Sequence, residues 1–216
     1  MSTVLITGIG HGIGKAIAEK FFAEGWAIIG TSTTGSTDIQ EKNLTTYQLD
    51  LADEHSIAEF VRKMTLSGAK IDMQINNAGI NPGVDKEKVD IAVLRRTIEI
   101  NLLGLITITE SLLDTIIDTG VILNISSTAG LISSAMQVPM TAYRISKAGV
   151  NMYTHTLAQR LRSRGIIVSA YNPGWVRTRM GGDHASKSPA QAAEEIFTFV
   201  TTNKGSGYFW DEGRKN

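Results

Sequence analysis

Thr3-Val4-Leu5-Ile6-Thr7-Gly8-Ile9-Gly10-His11-Gly12-Ile13-Gly14 decides the fold. Its first half is a short β-branched apolar run, the pattern of a strand buried on both faces. Its second half is a glycine turn, beyond which Ile13, Ile17 and Phe21 recur on one helical face. Strand, glycine turn and helix in that order let the backbone approach a pyrophosphate. The helix start offers free N–H groups and the positive end of a dipole. Two well-known phosphate loops do not fit. G-x-G-x-x-G needs glycine at Ile13 or at Lys15, and a Walker loop ending at Gly14-Lys15 needs glycine at Ile9 and Ser or Thr at Ala16. The spacing present is T-G-x-x-x-G-x-G. The competing reading is a flexible turn that is simply rich in glycine.

Working outward, Ala27 to Thr31 reads as a second strand, tipped by Ser32-Thr33-Thr34-Gly35. Dinucleotide folds carry an acid near this tip for the ribose 2′-hydroxyl, but the first acid here is Asp38. A 2′-phosphate would meet no carboxylate there and can use the hydroxyls with His11 or Lys15. That favours NADP, with NAD possible. Thr46 to Leu49 forms a third strand ending at Asp50-Leu51, and an amphipathic helix runs from Asp53 to Leu66. Ile71 to Ile75 is a fourth strand closed by Asn76-Asn77-Ala78-Gly79. A long apolar helix from Ile91 to Leu113 carries Asn101, an asparagine that needs partners if buried.

Val121 to Ile125 leads into Ser126-Ser127-Thr128-Ala129-Gly130, hydroxyls at a strand end where open α/β sheets place ligands. A loop over Ser133 to Met140 precedes a helix from Ala142 to Leu161. Ile166 to Tyr171 is a strand leaving through Asn172-Pro173-Gly174. Ser188-Pro189 opens a helix to about Thr201, and Gly207 to Trp210 is a final strand. Alternating strands and helices imply an α/β fold, a doubly wound parallel sheet covered on both faces.

Tyr143 and Lys147 lie one helical turn apart and share a face. An ammonium about 4 Å from the phenol, at an effective dielectric of about 20, is worth roughly 4 kcal/mol and would lower the phenol's pKa by nearly three units. A phenol tuned that way serves as a general acid or base near neutral pH.

The composition excludes other classes. Lys plus Arg and Asp plus Glu are both 21, so no basic surplus points to nucleic acid or an anionic membrane. No apolar run reaches the roughly 20 residues that span a bilayer. No signal-peptide pattern opens the chain, which predicts a cytoplasmic protein. Cysteine is absent, and His55, His155 and His184 lack metal spacing, so no metal site is expected.

Together these residues resemble the short-chain dehydrogenase/reductase family. The motifs that carry the likeness are Thr7-Gly8-x-x-x-Gly12-x-Gly14, Asn76-Asn77-Ala78-Gly79, Asn101-Leu102-Leu103-Gly104, Ser127 ahead of Tyr143-x-x-x-Lys147, and Pro173-Gly174. Residues 173–182 and the tail Gly207-Tyr208-Phe209-Trp210-Asp211 resemble the branch of sniffer-type carbonyl reductases and the C-factor signalling protein.

The resemblance implies a single Rossmann domain over residues 1–216, about seven strands, and a short substrate loop at about 178–188. It implies an NADP-dependent oxidoreductase interconverting a carbonyl and an alcohol. Tyr143 would be the proton donor and acceptor, Lys147 would hold the nicotinamide ribose, Ser127 (or its neighbour Ser126) the substrate oxygen, and Asn101 a water leading to Lys147. Cofactor contacts would come from Gly8, Gly10, His11, Gly12, Ile13 and Gly14, and from Ser32 and Thr33. Further contacts would come from Asp50 and Leu51 at the adenine, Asn77 at its ribose, Ala78, Gly79, Pro173, Gly174, Val176 and Thr178. A homo-oligomer, dimer or tetramer, built on the helices carrying Asn101 and Tyr143 is also implied. The alternative is a dinucleotide-binding regulatory protein with little turnover.

Overall fold

The computed structural model describes residues 1–134, 138–202 and 205–215. The middle of the loop expected over Ser133 to Met140, Ala135 to Gln137, lies outside them. In chain order the strands are β1 (Thr3–Ile6), β2 (Ala27–Ser32), β3 (Leu44–Gln48), β4 (Ile71–Asn76), β5 (Ile116–Ile125), β6 (Ile167–Asn172), β7 (Tyr208–Asp211) and β8 (Arg214–Lys215). The helices are α1 (Gly12–Ala23), α2 (Glu54–Ser67), α3 (Ile91–Ile98), α4 (Leu105–Leu112), α5 (Thr141–Arg160) and α6 (Pro189–Thr202).

One sheet runs in the order β3-β2-β1-β4-β5-β6-β7-β8. All pairs are parallel except β7 with β8. The expected sheet of about seven strands therefore gains an eighth, a two-residue return after the turn at Glu212 and Gly213. Arg214 and Lys215 are exposed and carry no apolar alternation, so nothing in their pattern announces a strand.

Two cores cover the sheet. Ile17 and Phe21 of α1 pack with Ile196 and Phe199 of α6 on one face; Phe60 of α2, Ile108 of α4 and Leu157 of α5 fill the other. The strand order reverses between β1 and β4, which places a crevice beyond the carboxyl ends of those strands. Among the described residues, no helix is long and apolar enough to cross a membrane.

The long apolar helix expected from Ile91 to Leu113 is broken. Between α3 and α4 the chain makes a π-helical turn, Glu99–Gly104, with Asn101 inside it. Contacts outside the helix impose the break. A Cβ on Gly104 would stand 2.2 Å from the Leu51 carbonyl oxygen, so this turn packs backbone to backbone against the end of β3. Wider turns of this kind recur at functional sites.

Candidate active site

The strand tips and the glycine turn meet at the carboxyl edge. Thr7, directly after β1, accepts hydrogen bonds at Oγ1 from the backbone N–H groups of Asn77 (3.0 Å) and Ala78 (3.1 Å). The Asn77 amide donates to the carbonyls of Thr7 (2.9 Å) and Gly8 (3.1 Å). Asn77, expected at the adenosine ribose, thus holds the glycine turn in shape. Gly8 and Gly12 have φ of +76° and +64°, the region that favours glycine.

The start of α1 suits a phosphate. Asp53 and Asp90 cap α2 and α3 with their side chains, whereas His11 makes no such bond at α1. The first N–H groups of α1 therefore lack a side-chain acceptor, as an anion site requires. Thr178 closes the other side: a Cβ on Gly12 would meet its Cγ2 at 3.3 Å. Beside this helix start lies a cavity of about 400 Å³ whose lining includes His11, Gly12, Lys15, Arg177, Thr178 and Pro189. Tyr143 and Ser127 do not line it.

Around the β2 tip, Gly10 lies against Ser32, while the Ser32 hydroxyl donates to the Ser36 carbonyl at 2.8 Å and Thr33 is exposed. Lys15, expected to serve a 2′-phosphate, is paired with Asp38 at 2.6 Å and lies 3.8 Å from Glu19. At the β3 end, Asp50 accepts the Ala52 N–H at 2.9 Å, and Leu51 is buried in the core on the α2 face. Leu51, expected to flank the adenine, has its side chain within that core. Ile13 packs against the opposite core.

Ser127, Tyr143 and Lys147, which the motifs single out, lie together at this edge. Ser127 follows β5; its hydroxyl stands close enough to the Tyr143 phenol to act on its titration, and it accepts the Ala129 N–H at 3.1 Å. Ser126 points elsewhere: its hydroxyl donates to Asn151 Oδ1 at 2.6 Å. Gly130 explains the Ser-x-x-Gly pattern, since a Cβ there would lie 2.6 Å from the Lys147 carbonyl carbon. The serine turn thus rests directly on α5 at Lys147. Lys147 Nζ lies 5.6 Å from the centre of the Tyr143 ring and donates to the Ile125 carbonyl at 2.8 Å.

The expected lowering of the phenol's pKa is not what this environment gives. Burial of the phenol end pushes Tyr143 above its ordinary value, and the neighbouring Ser127 hydroxyl offsets part of that rise. The pairwise argument from Lys147 left out desolvation, which dominates even though the Tyr143 side chain as a whole is half-buried. Burial likewise lowers the Lys147 ammonium from 10.5 to about 8.

The linkage sign follows from this. Below pH 8 both folded and unfolded chains carry the proton, so the full cost of burying the charge is present. Between about 8 and 10.5 only the unfolded chain carries it, and stability rises with pH. Wild-type stability minus that of Lys147→Met is expected to grow by about 3 kcal/mol between pH 7.5 and 10.5 in chemical denaturation. A flat difference would show that the buried ammonium carries no penalty.

Asn101 is 1% exposed and fully engaged at its amide nitrogen. Its Nδ2 donates to the Ile80 carbonyl (2.8 Å) and to Ser146 Oγ (3.0 Å), and its Oδ1 accepts the Ile80 N–H (2.8 Å). Gly79 stands between this amide and Lys147: a Cβ would lie 3.1 Å from Asn101 Oδ1 and 3.8 Å from Lys147 Nζ. Ser146, missed in the sequence, also donates to the Tyr143 carbonyl at 2.7 Å. Its place beside Lys147, on the helix that carries Tyr143, was its only signal in the sequence.

Below the site runs a second unanticipated feature, a buried polar chain. Gln74 donates to Asn76 (2.9 Å), Asn76 to Asn124 (2.8 Å), and Asn124 to Thr154 of α5 (2.8 Å). It ties β4 and β5 to the helix bearing Tyr143 and Lys147, and such networks fix one arrangement of a core. Pro173 and Gly174 leave β6 in a turn with Gly174 at φ +82°, and Val176 is buried beyond it. No group of three His, Cys, Asp or Glu placed to hold a metal occurs among the described residues.

Comparison with known proteins gives a consistent picture. The family model for short chain dehydrogenase matches residues 2–189. The chain is 32% identical to sulfoacetaldehyde reductase 2 of Chromohalobacter salexigens, covering 92% of this chain and 88% of that protein. A short-chain dehydrogenase/reductase from Burkholderia multivorans with bound NADP superposes with a TM-score of 0.89 at 25% identity, covering 99% of this chain and 98% of that one. The carbonyl reductase Sniffer of D. melanogaster has the same fold, with a TM-score of 0.88 at 22% identity and coverage of 99% and 98%.

Proposed function

Since the chain belongs to the short chain dehydrogenase family, and is an oxidoreductase of that family, we propose that it interconverts a carbonyl and an alcohol with NADP as its preferred dinucleotide. Tyr143 acts as the general acid and base. The observation that carries this reading is the convergence of three groups: the Ser127 hydroxyl beside the Tyr143 phenol, and the Lys147 ammonium 5.6 Å from the centre of that ring.

The nicotinamide, when bound, supplies the hydride. Every other element belongs to the chain. Ser127 orients the substrate oxygen and donates to it as negative charge develops there. Tyr143, kept protonated by burial, delivers its proton to that oxygen. Lys147 holds the ribose hydroxyls and keeps a positive charge beside the phenol. Asn101 fixes the Ile80 peptide and the π-helical turn, and so the wall against which Lys147 lies. A relative named for reduction of an aldehyde supports the substrate class.

NADPH oxidation followed across a panel of aldehydes and ketones tests the activity. Tight NADPH binding without turnover of any carbonyl would instead support a regulatory role.

The preference for NADP rests on the β2 tip, where hydroxyls stand in place of a carboxylate, and gains support from a neighbour that binds NADP. Thr33 is exposed there, so Thr33→Asp tests it without disturbing the core. A carboxylate placed about 4–5 Å from a doubly charged phosphate, at an effective dielectric of about 20, is expected to weaken NADPH binding at least tenfold. The same carboxylate can accept from a ribose 2′-hydroxyl, so NADH affinity should hold or rise. Fluorescence titration with both dinucleotides reads the ratio, and an unchanged ratio would move the 2′ site away from this tip.

A further inference from the structure

We propose that Lys187 is a positioning residue, whose ammonium clamps the base of the substrate loop and so sets Thr178 against the glycine turn. This rests on the reading above only in taking the dinucleotide as the ligand that feels the loop move. The loop leaves β6 at Pro173 and returns to α6 at Pro189. Its two limbs are joined at a single bridge, Val176 with Lys187. There the Arg177 N–H donates to the Lys187 carbonyl at 2.8 Å, and the Lys187 N–H to the Trp175 carbonyl at 3.1 Å. The Arg177 guanidinium donates to the Ala185 carbonyl at 2.9 Å, and the Trp175 indole to the Gly181 carbonyl at 2.8 Å. The loop is therefore closed at its base, where its two limbs run parallel.

Lys187 Nζ occupies that base. It donates to the Pro173 carbonyl at 3.1 Å, to Glu195 of α6 at 2.6 Å, and to Glu212 in the turn between β7 and β8. Only 13% of its side chain is exposed. One cation thus joins the exit of β6, the helix that follows the loop, and the C-terminal hairpin.

Two backbone features suit this arrangement. Glu212 holds φ +48°, a costly left-handed conformation for a residue with a Cβ. Gly174 has no side chain where one would collide, since a Cβ there would lie 2.8 Å from the Glu212 carboxyl carbon. The chain accepts strain at Glu212 and glycine at position 174, and the result is a carboxylate lying over the Pro173-Gly174 turn. The Glu212 N–H donating to the Asn172 carbonyl (3.0 Å) and Asn172 Nδ2 donating to Asp211 (2.7 Å) hold the same junction from the strand side. Downstream of the clamp, Thr178 accepts the Gly181 N–H at 3.1 Å and faces Gly12.

Lys187→Met in the full chain leaves two carboxylates without their shared cation, so the base of the loop should loosen. The expected result is a rise of about tenfold in both the NADPH dissociation constant and its KM, with kcat within about twofold, the split that marks lost ground-state positioning. Trypsin should cut after Arg177 and Arg179 about tenfold faster than in wild type, because cleavage tracks the population of the open loop. The double variant Lys187→Met/Glu212→Gln should be no worse than Lys187→Met alone, since both changes break one unit. If Lys187→Met fails to fold, Glu212→Gln carries the test, with the same shifts at about threefold. Wild-type proteolysis and wild-type NADPH affinity in these variants would overturn the clamp. If wild type itself binds no NADPH, the functional reading falls, and the trypsin comparison alone still decides whether Lys187 holds the loop.

Discussion

Tyr143→Phe is expected to lower kcat/KM for carbonyl reduction by about a thousandfold, within the span that a positioned general acid contributes, while NADPH affinity stays within about twofold. The variant removes one oxygen. Ser127 keeps its bond from the Ala129 N–H, so the cost to stability is that of one hydroxyl pair, about 1 kcal/mol. Ser127→Ala makes the useful contrast. On the proposed mechanism it removes the donor to the developing oxyanion and leaves the acid in place, and a loss of about a hundredfold is expected. Retained turnover in Tyr143→Phe would assign the proton to another group.

The pH profile carries the same argument. Burial raises the Tyr143 pKa, so the phenol stays protonated through neutral pH and is ready to donate. Burial lowers the Lys147 ammonium to about 8, so its charge is lost above that value. Carbonyl reduction, read as kcat/KM, is expected to hold across neutral pH and to fall as Lys147 deprotonates. A profile that rises through that range would point to a phenolate base as the working form.

What the sequence made legible, and what it hid, divides along the range of the interactions. The glycine turn, the serine turn and the Tyr143–Lys147 spacing are local. Each is fixed by backbone that needs a missing side chain or by residues one helical turn apart, and each was readable. The π-helical turn at Glu99–Gly104 was not, because the apolar pattern runs unbroken through it. Its causes are the Leu51 carbonyl against Gly104 and the Ile80 peptide against Asn101, both distant in the chain. Lys187 was equally silent, since its carboxylate partners lie 8 and 25 residues away. The sign of the phenol shift was missed for another reason. A pairwise Coulomb estimate contains distance and dielectric but not the water removed from both groups, and burial is known only once the chain is folded.

Gly14→Ala is the second large effect, and it bears on the stretch that set the fold. A Cβ at Gly14 would stand 2.2 Å from the Gly8 carbonyl oxygen and 2.3 Å from Asn77 Nδ2. Neither neighbour is the free end of a flexible side chain. Gly8 is backbone held by bonds to Thr31, and Asn77 donates to two carbonyls of the same turn. The turn must move as a whole, which breaks the Asn77 bonds and displaces the N–H groups at the start of α1. Overpacking of about 1–3 kcal/mol plus about 1 kcal/mol for each lost bond gives a loss of about 3–5 kcal/mol. For a domain of this size that corresponds to a Tm lower by about 10 °C. NADPH affinity should fall at least a hundredfold, because the cradle is no longer held in register for the ligand. Gly10→Ala, in the same turn, is the matched control. Its Cβ would meet only Ser32 Cβ, at 3.6 Å, an ordinary contact, so stability within about 0.5 kcal/mol of wild type is expected. A flexible turn that is merely rich in glycine would treat the two positions alike, and equal, small effects at both would restore that reading. A cradle built by close approach of backbone treats them oppositely, and calorimetry with a dinucleotide titration separates the two.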